Sequence, residues 1–86
     1  MTPAQRKEVI RLATAYVKAF KVVRGRYGVG SKETGDVCDA ERAFWKFFDA
    51  LGLYRKTTIA VVTPKENAVM VVSPIGGRLN VYDTML

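Results

Sequence analysis

Val9, Ala13, Tyr16, Phe20, Val23 and Tyr27 recur at spacings of three and four through the first third of the chain. At about 3.6 residues per turn they form one apolar stripe, flanked by Leu12 and Val17, and predict an amphipathic helix. Its start is marked by Thr2-Pro3-Ala4-Gln5: a capping hydroxyl, a proline at the first helical position and a glutamine three residues after the cap. The helix is expected over residues 3–24. Residues 25–35 hold Gly25, Gly28, Gly30 and Gly35 and read as a loop. A second stripe, Val37, Ala40, Phe44, Phe48 and Leu51, predicts a helix over 36–51. Asp36 stands as its cap, Asp39 and Glu41 in its first turn, and Gly52 after its end.

Beyond Gly52 the period changes. Thr57–Thr63 and Ala68–Val72 are rich in β-branched residues, and Arg78–Tyr82 alternates polar with apolar. The turns between them, Pro64–Asn67 and Ser73–Gly77, are short, so the strands pair as an antiparallel meander. The fold class is therefore α+β: two N-terminal helices followed by a three-stranded antiparallel β-meander (ααβββ), in a single small domain over residues 1–86. The first two strands are apolar on both faces, Ile59 and Val61 alternating with Ala60 and Val62, and Val69 and Val71 with Met70 and Val72. A sheet with helices on one side should show a polar outer face. Either the helices straddle the sheet or a second copy or partner covers it.

Composition narrows the chemistry. The 86 residues are 49% hydrophobic and 26% charged, enough apolar content for a folded core. No stretch approaches the roughly 18 apolar residues of a membrane span, and Met1–Arg11 is too charged for a secretory signal. One cysteine, Cys38, permits no internal disulfide, and a cytoplasmic setting is expected. The chain has no histidine. Ser-His and Cys-His nucleophile pairs are thereby excluded within it, and zinc would be left with carboxylates and one thiolate. No catalytic residue, cofactor or metal is expected. Glu33, Asp36, Asp39 and Glu41 read as capping and dipole-complementing acids rather than as a Mg²⁺ site. Gly25-x4-Gly30-Ser31-Lys32 has its last two residues in the wrong order for a phosphate-binding P-loop and follows a helix rather than a strand.

Charge is where the sequence speaks. The formal net charge is +6, and residues 1–27 carry all of the excess: seven basic groups against Glu8 alone, with seven of each sign in the remainder. Lys7, Arg11, Thr14, Lys18 and Lys21 follow one another by four, three, four and three on a face away from the apolar stripe. Arg24 and Arg26 extend the charge into the glycine loop. Such a row can neutralise consecutive phosphates. A solvated outer face is the plainer alternative, but it ordinarily mixes signs to gain i,i+4 pairs. Trp45 lies about 100° from Phe44 around the second helix, a position suited either to packing or to anchoring a partner. The leading expectation is a small non-enzymatic binding module, regulatory or inhibitory, that docks Lys7, Arg11, Lys18, Lys21, Arg24 and Arg26 on nucleic acid. The alternative is a protein-binding inhibitor or adaptor, of the accessory kind viruses and mobile elements encode. It would offer the same face, Trp45 or the sheet to an acidic protein. Homo-oligomerisation through the sheet is compatible with both, and no membrane partner is expected.

The element order and basic charge, with Arg78-Leu79-Asn80-Val81-Tyr82, resemble RelE/ParE-like toxins over the last third of the chain. Those proteins begin with a strand where this chain begins with a capped helix, and no site residue is carried over. A third, weaker expectation is a histidine-free RNase or toxin-like protein using Lys, Arg and Tyr residues such as Tyr54, Arg55 and Lys56.

Overall fold

A computed structural model describes residues 2–24, 31–52, 58–73 and 76–83. The elements are α1 (Pro3–Val23), α2 (Lys32–Ala50), β1 (Ile59–Thr63), a short 3-10 turn over Pro64–Glu66, β2 (Ala68–Ser73) and β3 (Arg78–Asp83). The strands form one antiparallel sheet in the order β1-β2-β3. This is the expected ααβββ arrangement.

α1 begins as its sequence indicates. The Thr2 hydroxyl accepts from the Gln5 backbone N–H at 3.1 Å, and the Gln5 side chain accepts from the Thr2 N–H at 2.8 Å. Two otherwise unpaired donors are satisfied in one reciprocal exchange. α2 begins earlier than expected. Its cap is Ser31, not Asp36: the Ser31 hydroxyl accepts from the Thr34 N–H at 3.1 Å, and the Ser31 carbonyl takes the Gly35 N–H at 3.0 Å. Residues 32–35 thus belong to the helix although Gly35 is a weak helix former, because a serine cap and one added turn satisfy the backbone that a loop would leave to water. After α2, Gly52 adopts φ +73°, where a side chain would be strained. Residues 25–30, 53–57 and 74–75 of the expected loops lie outside the described residues.

Strand registry decides what each face shows. Val62, Val69 and Tyr82 lie side by side in one row and Ala60, Val71 and Asn80 in the next. The alternate rows, Ile59–Val72–Leu79 and Val61–Met70–Val81, point the other way. Buried Val61, Met70 and Val72 form one core with Val9, Ala13, Tyr16 and Val17 of α1 and Phe44 and Phe48 of α2. Both helices therefore pack on the same face of the sheet; they do not straddle it. Phe44 and Phe48 stack at 5.5 Å between ring centroids, and each burial of this kind contributes about 1.5–3 kcal/mol. Thr63 is the buried polar residue of the core, and its hydroxyl donates to the Ala68 carbonyl at 2.8 Å, so it carries no unmet hydrogen bond. The other sheet face stays open: Val62 is 55% and Tyr82 57% exposed.

Candidate nucleic-acid interface

α1 carries its charge on the side opposite its buried stripe. At about 100° per residue, Lys7, Arg11 and Lys18 fall within about 40° of one another around the helix. All three are exposed, as are Ala4, Ala15 and Val22 alongside them. From Lys7 to Lys18 the row runs about 16 Å along the axis. Among the described residues, neither Lys7 nor Lys18 meets an acidic side chain. Arg11 does: its guanidinium grips Glu8 through both nitrogens, Nε to Oε1 and NH2 to Oε2, the latter at 3.1 Å. That hydrogen bond, with the adjacent positive charge, holds the Glu8 carboxyl below its ordinary range. Thr14, half-exposed in the same row, donates its hydroxyl to the Ile10 carbonyl at 2.7 Å and serves its own helix.

The row does not continue to the end of the helix. Lys21 stands about 60° from Lys18 and turns toward the sheet, where its ammonium donates to the Glu66 carbonyl and lies 3.9 Å from Asp83. Arg24 closes on the same carboxylate, NH1 to Oδ2 at 2.8 Å and NH2 to Oδ1 at 3.4 Å, with its guanidinium 5.2 Å from the centre of the Phe20 ring. The Arg24 hydrogen bond, with the two cations, holds the Asp83 carboxyl below its ordinary range. A group so depressed adds stability above the unfolded carboxylate pKa of about 3.9, and that stability fades as pH falls through the lower folded value. Lys21 and Arg24, with Asn67 and Asp83, line a shallow pocket of about 380 Å³ at the seam between α1 and the end of β3. They act first as a latch between the first helix and the last strand. Arg26 lies outside the described residues, as do Tyr54, Arg55 and Lys56. Asp83 and Glu66 were not foreseen as partners of this face; a pairing across 59 residues leaves no periodic signal in the sequence.

α2 presents the contrasting surface. Its five acids exceed its three bases, and Lys32–Asp36 and Arg42–Asp39 pair across one turn at 3.5 Å each. Signs mix there as on an ordinary solvated helix, which α1 does not do. Trp45 is half-buried, its ring edge-on to Phe44 and Phe48 at 5.8 Å each. Its exposed side forms one wall of an open groove of about 750 Å³ with Cys38, Glu41, Arg42, Lys46, Asp49 and Gly77. Tyr16 ties the helices together: its ring is buried, and its phenol is pushed up from the ordinary value, by burial first and then by Glu41 and Cys38 of α2.

Among the described residues no group of acids and cysteine is arranged to hold a metal ion, and no helix is long and apolar enough to cross a membrane. The chain matches no protein-family model, no curated protein and no solved structure.

Proposed function

We propose that this chain is a small non-enzymatic binding module that lays the outer face of α1 on the phosphate backbone of nucleic acid, in the cytoplasm, and regulates or inhibits by occupying it. The observation that carries this reading is the cationic row Lys7–Arg11–Lys18, exposed over about 16 Å and opposed, among the described residues, by Glu8 alone. The major groove of a duplex is about 12 Å wide, so Lys7 and Lys18 reach phosphates on its two sides with Arg11 between them. Among the described residues, no aromatic side chain shares that exposed face with the cations. A stacking platform for unpaired bases is therefore missing there, and duplex is favoured over single strands. Contacts of this sort position the protein without reading sequence. Lys21 and Arg24 enter the function indirectly, by fixing the end of α1 to the sheet.

The test is fluorescence anisotropy of labelled duplex DNA, duplex RNA and single-stranded DNA against the purified protein at low salt. Duplex binding that is indifferent to base sequence and tighter than single-strand binding supports the reading. Absence of binding to all three overturns it and transfers the cationic face to an acidic protein surface.

A further inference from the structure

We infer that the open face of the sheet is a self-association surface, and that two copies of this chain pack on it sheet against sheet. Six positions make up its centre, Ala60, Val71 and Asn80 in one row and Val62, Val69 and Tyr82 in the next. None is charged, and Asn80 alone is a polar residue without an apolar body. Val62 and Tyr82 have more than half of their surface in water. An edge of polar and charged positions, Thr58, Ser73 and Arg78, follows at one end. Adjoining rows with no charge among them can be covered by another apolar face without burying an unpaired ion.

Charge selects the occupant. The chain bears +6, and two copies meeting through α1 would set cation rows against each other. The centre of the sheet face is uncharged and lies in the layer opposite α1, so two copies joined there keep their cationic rows on the outside, two layers apart each. The centre of the same face offers a nucleic acid no cation, Arg78 standing at its edge. Symmetry adds a geometric fit. A twofold axis along β2, in the plane between the sheets, sets β1 of one copy over β3 of the other and β2 over itself. Val62 then meets the partner copy's Tyr82, Val69 and Val71 meet their own equivalents, and Ala60 meets Asn80, a small side chain against a larger one. Arg78 falls opposite Thr58 rather than opposite itself, which avoids a like-charge contact. Two sheets packed about 10 Å apart give the ordinary two-sheet sandwich. Three strands at about 4.8 Å and five residues at about 3.3 Å give a footprint of about 240 Å² in plan. That is well short of the roughly 800 Å² per partner of a standard interface, so the dimer is reversible and concentration-dependent.

The experiment is sedimentation equilibrium of the full chain up to about 1 mM, a concentration at which weak homodimers are populated. Wild type, Val62→Glu, Tyr82→Lys and an equimolar mixture of the two variants are compared, with far-ultraviolet circular dichroism to confirm that each is folded. Both substitutions sit at exposed positions, so the fold is expected to survive. The expected result is a wild-type dimer, at least a tenfold loss of self-association in each variant alone, and recovery in the mixture, where the introduced carboxylate and ammonium face each other at one of the two equivalent contacts. A wild type that stays monomeric throughout overturns the proposal. So does a dimer that persists unchanged in both variants, which would assign association to the strand edges or to α1 instead.

Discussion

Replacing Lys7 and Lys18 together by glutamine removes charge from the cationic row and leaves the core alone, since both side chains are exposed and neither pairs with an acid among the described residues. The consequence for binding is a change in salt dependence. Each phosphate neutralised on duplex DNA contributes about 0.9 to the slope of log K against log salt. Three contacts, from Lys7, Arg11 and Lys18, give a slope of about −2.7, so affinity falls about 40-fold between 50 and 200 mM salt. With Arg11 alone the slope is about −0.9 and the same change costs only about 3.5-fold. Anisotropy titrations of a duplex at four or five salt concentrations measure both slopes. The double variant should be shallower by about 1.8, with the loss the same for unrelated sequences. An unchanged slope in the double variant would refute the placement of phosphates on α1, even if the affinity itself fell.

Three further outcomes follow from particular contacts. Glu8→Gln removes the carboxylate that competes with phosphate for Arg11, so duplex binding should tighten while the salt slope stays near about −2.7; a weaker complex in the same titration would mean that Glu8 is needed to orient Arg11. Phe48→Ala empties a fully buried site stacked on Phe44 and should cost about 3–5 kcal/mol in urea unfolding followed by Trp45 fluorescence, while Lys46→Ala on the exposed side should cost under about 0.5 kcal/mol. Tyr16 predicts an alkaline limb. Its phenol is raised in the fold, so the unfolded chain gives up this proton first; stability is full below about pH 10 and declines as pH rises toward the higher folded value. Tyr16→Phe should flatten that limb in denaturant titrations from pH 8 to 11, and an equally steep decline in the variant would assign it to other groups.

The elements of the fold were legible wherever a short-range rule decides them. The apolar stripe and capping box set α1 to within a residue of its observed Pro3–Val23 span, whereas the doubled apolar faces of the first two strands led to the expectation of a cover on both sides, and the helices cover one. The start of α2 was misplaced because Ser31 and Asp36 are both competent caps, and Gly35 reads locally as a breaker; the Ser31 cap and the hydrogen bonds of one more helical turn outweigh that propensity of about 1 kcal/mol. The cationic row was legible only in part. Periodicity puts Lys21 near Lys18, but it has no knowledge of Asp83, whose carboxylate draws Lys21 and Arg24 to the seam from far along the chain. The same limit hid which side of the sheet the helices choose. Both faces are apolar, and the choice rests on how Phe44, Phe48 and Val17 fill the space above Met70 and Val72.

The sheet completes a core that the helices cannot close alone, and this has a consequence for how the chain is made. β3 ends 33 residues after α2, at Asp83 against Ala50. At about 5–20 residues per second, the helix pair waits about 2–7 s before its last strand exists. Until β1 and β2 follow, Val9, Ala13, Tyr16, Phe44 and Phe48 have only each other to pack on, and until β3 is complete Arg24 has no Asp83 to close upon. Of the five helices and strands described, the first helix is synthesised before the others and is among the last to be locked in place. Any factor that shelters nascent apolar surface would meet this protein as a helical hairpin, before either the cationic row or the open sheet face has its final form.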